Sequence, residues 1–178
     1  MTSIEQVSSR EIYRNPWLSL REDEIRRPDG SAGVYSVVDK PDFALVIPAE
    51  PAGFHLVEQY RYPVGGRFWE FPQGTGGAAD PEALARAELA EETGLRAGSL
   101  ERLGHLFCAY GMSSQGFDVF LATDLTPGPT AREATEQDMR QRLVGRDEFE
   151  AMIRAGLVVD DSTLAAYALL LMREAGRL

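Results

Sequence analysis

The chain has 178 residues, of which 44% are hydrophobic and 26% charged, enough for one domain with a substantial core. It carries 28 acidic against 18 basic side chains, a net charge of −10, which argues against partners that present a nucleic-acid backbone or an anionic membrane surface. A single cysteine, Cys108, excludes an internal disulfide and suits a reducing compartment; in the run Leu106-Phe107-Cys108-Ala109-Tyr110 it is expected to be a buried packing residue. The start lacks the basic and apolar regions of a secretory signal, and the longest apolar run, Leu164 to Met172, is too short to span a bilayer, so a cytoplasmic protein is expected.

Residues 1–40 read as an antiparallel meander of short strands around the turn Arg27-Pro28-Asp29-Gly30, with Val34–Val38 as its last strand. So small a sheet cannot bury itself and must lie on the rest of the chain or on a partner. Trp17 in this region is either an interface or core aromatic or a stacking surface for a base. Two strongly apolar strands follow, Phe43–Pro48 and Phe54–Tyr60, expected at the centre of a sheet. Arg61, at the end of the second, has the forked guanidinium suited to a diphosphate, or else pairs with Glu58 or Glu70. Glu70 lies between Trp69 and Phe71, where an unpaired carboxylate would be costly, so it is expected to meet Arg61, a metal-bound water or a partner chain.

The stretch from Trp69 to Leu95 reads as a strand, a glycine-rich turn and a charged helix. Asp80 is an N-cap candidate, Pro81 fits the first helical position and Gly94 supplies the left-handed residue past the end. Spacings of three and four residues put Glu88, Glu91 and Glu92 within about 100° of one helix face. A solvated acidic face is one reading. Yet these acids occupy the last turns, beside the negative end of the helix dipole, where something cationic is needed. Oxygen-only clusters suit Mg²⁺ or Mn²⁺, which are held by a few carboxylates together with substrate phosphates. The pattern therefore points to metal-assisted chemistry at a phosphoryl group.

After the helix, Leu100–Cys108 and Phe117–Ala122 read as strands flanking the loop Gly111–Gly116, a candidate pocket wall. A polar segment, Thr126 to Glu136, precedes a last strand, Met139–Val144. Asp147 is expected to cap a helix over Phe149–Ala155, and Asp161-Ser162 to open one over Thr163–Ala175 that turns Leu164, Tyr167, Ala168, Leu171 and Met172 to the core. Neither His55 nor His105 has sequence neighbours that suggest a zinc site.

From Gly74 to Leu95 the chain resembles the signature box of the Nudix hydrolases. Glu88, Leu89, Glu91, Glu92, Gly94 and Leu95 match the second half of that pattern. The first half departs from it: counting from Gly74 puts Asp80 where a Glu belongs, counting back from Gly94 puts Ala79 there, and Ala87 stands where the family has an Arg. An Arg at 87 would sit one turn before Glu91 and brace it. Arg86 points about 100° away, so another arginine, such as Arg61 or Arg67, is expected to take that place.

The resemblance extends to the ADP-ribose pyrophosphatase and nucleotide-sugar diphosphatase branch and implies an α/β/α sandwich with a mixed sheet plus a small N-terminal antiparallel sheet. It implies residues 1–40 as a dimerisation sheet, so a homodimer, and 41–178 as the hydrolase domain. Glu88, Glu92 and the main-chain carbonyl of Gln73 would then hold Mg²⁺ or Mn²⁺, Glu91 would bind or orient a further metal or water, Arg61 and Glu70 would face the substrate, and Trp17 would reach it across the dimer. Glu136, or in reserve Glu133, would be the water-activating base. The expected activity is hydrolysis of the diphosphate of ADP-ribose or a related nucleotide sugar. A binding or regulatory module that has lost turnover and a nucleoside triphosphate pyrophosphatase are the alternatives.

Overall fold

A computed structural model describes residues 3–76, 80–132 and 138–178. The chain forms two compact units. One comprises residues up to 42 together with 107–116, and the other comprises 43–106 and 117–178.

In the first unit, strands β1 (Glu5–Arg14), β2 (Ser19–Arg26) and β3 (Ala32–Asp39) form a three-stranded antiparallel sheet in that order. Asn15 closes the first connection, its side-chain oxygen accepting from the N–H groups of Trp17 and Leu18 at 2.9 Å each. The expected Pro-Asp-Gly turn closes the second: Gly30, at φ 86°, donates to the Arg27 carbonyl at 2.8 Å, and Asp29 accepts from the Ser31 N–H at 2.9 Å. Loop 107–116, read from sequence as a pocket wall, belongs to this unit. It pairs with β3 through Val38 N–H to Met112 O at 2.8 Å, Ser114 N–H to Val38 O at 3.1 Å and the Tyr35 hydroxyl to Gly111 O at 2.7 Å. Cys108 there is only half-buried, not the core residue expected, because the loop turns back on β3 instead of continuing a central strand.

The second unit is built on β4 (Phe43–Glu50), whose residues 43–48 are all buried. Such a continuous apolar run is what a strand covered on both faces requires. Ala44 and Val46 pack with Leu84, Ala85 and Leu89 of α1 (Pro81–Thr93), and α3 (Asp161–Glu174) also packs on β4. The sheet order is β10 (Arg140–Val144), β5 (Gly53–Arg61), β4, β9 (Gly116–Pro127), β8 (Leu95–Phe107). β4 and β9 run parallel, while β5 is antiparallel to both β4 and β10, so the sheet is mixed as expected. β6 (Gly66–Glu70) pairs with the far half of β5, and the two-residue β7 (Gln73–Gly74) pairs with β4.

The expected caps of α1 are found: Asp80 accepts from the N–H groups of Glu82 and Ala83, and Gly94 stands at φ 74°. The later helices differ from expectation. α2 (Arg146–Arg154) starts after Gly145, so Asp147 lies in its first turn and is not the cap. α3 is capped by Asp160, one residue before the expected cap, and buries Ser162, Thr163, Ala166, Tyr167 and Leu170. Ala168, Leu171 and Met172 are exposed, because the face that meets the sheet is set by a buried aromatic cluster and not by the most apolar stripe. In that cluster Phe149 lies 5.3 Å from Phe71 and 5.0 Å from Tyr167, ring centre to ring centre.

Candidate active site

The second unit brings together Arg61 from the end of β5, Glu70 from the end of β6, Gln73 and Gly74 from β7, and Glu88 and Glu92 from α1. Two of the helix acids are buried: Glu88 is 9% exposed and Glu92 only 1%. Glu92 is therefore not on a solvated face. Glu91, between them, is half-buried, and among the described residues no three His, Cys, Asp or Glu side chains form one metal-sized cluster. The arrangement is a pair of buried carboxylates one turn apart, not a three-carboxylate cage.

Gly74 shows how closely β7 approaches this pair. A Cβ built there would stand 2.5 Å from the Glu88 carboxyl carbon, so any larger residue would push that carboxylate from its place above the strand. Gln73 directs its side-chain amide to Asp160 at 2.9 Å. Glu88 beside the glycine main chain and the buried Glu92 one turn further along α1 offer an all-oxygen donor set. That set fits a hard divalent ion whose remaining positions are filled by water and phosphate.

Glu70 is 1% exposed, and both its oxygens are used. Arg61 Nε donates to one at 3.1 Å, while Arg61 Nη2 and Gln59 Nε2, the latter at 2.8 Å, share the other. Burial pushes the Glu70 carboxyl above its ordinary pKa, and the Arg61 charge only partly offsets this. Burial also lowers the Arg61 pKa, but Glu70, with Asp160 and Glu92 adding their charges, carries it above the ordinary value. Arg61 is thus the shared counter-ion of the site. Beside it opens a cavity of about 380 Å³ lined by Arg61, Phe68, Glu70, Val159, Asp160 and Asp161, among others.

At the C-terminal end of α1 the cation is Arg132, whose Nε donates to the Glu92 carbonyl at 2.9 Å; Ala131 N–H meets the Glu91 carbonyl at 3.1 Å. These contacts satisfy end carbonyls of a helix that has no basic residue in its last turn. Neither Arg61 nor Arg67 takes the place of the missing box Arg. Arg67 is held by Glu58 at 3.0 Å and by Asp138, and Arg86 by Glu82 at 2.8 Å and the Ala97 carbonyl at 3.0 Å. Among the described residues the Glu91 carboxylate has no ion-pair partner. Ala87→Arg should therefore give Glu91 an i,i+4 partner worth about 0.3–0.5 kcal/mol of helix stability, while the added positive charge competes with a divalent ion for the same carboxylate and lowers Mn²⁺ affinity about twofold. A metal titration in which the variant binds more tightly than the parent would overturn that expectation.

Trp17 belongs to the first unit, is 72% exposed, and with Arg14, Asn15, Asp39 and Lys40 lines a separate hollow there. Glu133 and Glu136 lie outside the described residues. His55 meets Glu50 at 3.0 Å and His105 meets Asp118 at 3.4 Å. Sequence reasoning missed Asp160, which faces both Gln73 and Arg61; the Asp160-Asp161-Ser162-Thr163 run was the available signal, read one residue late.

An ADP-ribose pyrophosphatase of Mycobacterium tuberculosis is 30% identical to this chain over 165 residues, covering 90% of the chain and 80% of that protein. The chain belongs to the ADP-ribose pyrophosphatase branch of the Nudix family. Residues 4–38 match the family described as the nucleoside diphosphate sugar hydrolase N-terminal domain, which is the sheet of the first unit. A second Nudix relative, an ADP-ribose pyrophosphatase of Bacillus subtilis, is 26% identical over 180 residues and covers 98% of this chain and 97% of its own. The fold is also that of a crystallised ADP compounds hydrolase, with a TM-score of 0.85 at 17% identity over 98% of this chain and 97% of that one.

Proposed function

We propose that the protein is a cytoplasmic, divalent-metal-dependent hydrolase that splits the diphosphate of ADP-ribose or a related nucleotide sugar. Water oxygen attacks one phosphorus, the bond from that phosphorus to the bridging oxygen breaks, and a nucleoside monophosphate and a sugar phosphate leave. The buried Glu88 carboxylate against Gly74, with the buried Glu92 one turn on, in a chain similar along most of its length to ADP-ribose pyrophosphatases, carries this reading.

Glu88, Glu92 and the Gln73 carbonyl would hold Mg²⁺ or Mn²⁺. A divalent ion there supplies charge neutralisation for the diphosphate and a more acidic water. Glu91, half-buried on the same helix, would orient a further metal or water. Arg61 presents to the substrate the donors that Glu70 does not use, so Glu70 fixes the guanidinium and Arg61 orients the anion. Glu136, with Glu133 as the alternative, accepts the proton of the attacking water; this assignment rests on the family resemblance.

We also assign the first unit to a homodimer interface, with Trp17 reaching the partner's substrate. Val7, Ile12 and Tyr13 on β1 and Val34 on β3 are exposed, which is more apolar surface than an isolated three-stranded sheet keeps in water without a partner. Light scattering should report a dimer at micromolar concentration, and a monomer would remove the assignment. Mg²⁺ titrated against ADP-ribose, with phosphate release read after phosphatase treatment, tests the activity. Binding without turnover across a nucleotide-sugar panel would replace it with a binding module, and direct pyrophosphate release from nucleoside triphosphates would replace it with a triphosphate pyrophosphatase.

A further inference from the structure

We propose that Asp160 is a positioning residue of this site, fixing through its hydrogen bond to the Gln73 side chain the main chain whose carbonyl belongs to the donor set. The inference deepens the hydrolase reading and rests on it. β7 pairs with β4 through Gln73 and Gly74 alone. The strand is only two residues long and follows Pro72, which has no N–H to donate. Each residue of the approach is also held from outside the strand, by the start of α3 or by β4. Phe71 N–H donates to Thr163 Oγ1 at 3.0 Å, the Pro72 carbonyl accepts from Val46 N–H at 2.9 Å, and Gln73 Nε2 donates to Asp160 Oδ2 at 2.9 Å.

Two of these three anchors come from the first turn of α3. Asp160 Oδ2 also accepts the Thr163 N–H at 2.8 Å, so the oxygen that caps the helix is the one that holds Gln73. Thr163 is fully buried, and the Phe71 ring beside it is locked in the aromatic cluster. The helix start and the β7 segment therefore form one rigid piece. A side-chain shift at Gln73 moves the same residue's carbonyl and with it Gly74, the next residue, against which the Glu88 carboxylate is packed. Asp160 also lines the cavity next to Arg61, and its charge acts on both Arg61 and Glu70. A plain helix cap would need none of these contacts.

Three substitutions in the full chain separate the roles. Gln73→Leu removes the tie but keeps the main-chain carbonyl and the helix cap. Asp160→Ala removes tie and cap together. Asp160→Asn keeps an oxygen able to accept from both donors and removes only the charge. The readouts are Mn²⁺ affinity without substrate, from the electron paramagnetic resonance signal of free Mn²⁺, the kcat and KM for ADP-ribose, and the melting temperature. Supporting groups behind metal ligands are worth about 10- to 100-fold in affinity, so Gln73→Leu is expected to weaken Mn²⁺ by about tenfold and to lower kcat with the melting temperature near that of the parent. Asp160→Ala should lose the same Mn²⁺ affinity and also melt lower, Asp160→Asn should recover most of the affinity, and Gln73→Leu added to Asp160→Ala should cost nothing further. A parent that hydrolyses ADP-ribose while Gln73→Leu keeps parental Mn²⁺ affinity and kcat overturns the inference alone, as does a double variant with additive losses. A parent that neither binds Mn²⁺ nor hydrolyses overturns the hydrolase reading and the inference with it.

Discussion

Glu92→Gln is expected to lower turnover by about 100- to 1,000-fold, the several kcal/mol that a metal ligand supplies at roughly 1.4 kcal/mol per decade. The substitution is nearly isosteric, which matters because Glu92 is buried and a smaller residue would leave a hole in the packing around it. Gln keeps an oxygen and adds donors but removes the charge, and that charge both attracts a divalent ion and acts on Arg61. Arg61 keeps its bonds to Glu70, so the fold should survive with a stability change of about 1 kcal/mol or less. Mn²⁺ should be needed at higher concentration before any turnover is seen. Parental activity at sub-saturating metal, in a variant whose circular dichroism and melting match the parent, would remove Glu92 from the donor set.

How much of this site the sequence reveals depends on whether its signals are local. The ends of α1 were legible because Asp80, Pro81 and Gly94 act on their own neighbours, and the burial of β4 because an unbroken apolar run has few other uses. The pairing of Glu70 with Arg61 followed from electrostatics, since a carboxylate between Trp69 and Phe71 needs a cation and Arg61 stands at the adjoining strand end. The phase of α3 was not legible, because Leu164 to Met172 is apolar almost all round and so singles out no face. The aromatic rings of Phe71 and Phe149, which Tyr167 must meet, decide it instead. Asp160 was out of reach for a related reason: its partner Gln73 is 87 residues away, and a cap looks the same in sequence whether or not it also holds a distant strand. The depth of Glu92 depends likewise on long-range packing, for helical spacing places a carboxylate on a face without saying what covers that face.

Arg61→Met should destabilise the chain by about 2–3 kcal/mol at neutral pH. Breaking a fully buried ion pair from one side costs about 3–5 kcal/mol, and the lower figure applies because the Arg61 side chain is 41% exposed. What remains is Glu70, inaccessible to water, with Gln59 as its one remaining donor of the three bonds described above. The variant then has an escape, which is to protonate Glu70. Burial already holds that carboxyl above its ordinary pKa in the parent, and removing the opposing Arg61 charge moves it further up. A carboxyl raised in the folded state keeps a proton that the unfolded chain has released, so this site loses stability as pH rises through the interval between the two values. The cost of Arg61→Met should accordingly be small near pH 4, grow as pH rises, and be complete once Glu70 is ionised in the folded variant. Urea unfolding at several pH values measures it directly. Adding Glu70→Leu to Arg61→Met should restore more than half of the lost stability, because the charge left without its partner is then gone. A double variant no more stable than Arg61→Met at pH 8 would show that Arg61 acts through its packing and not as the counter-ion of Glu70.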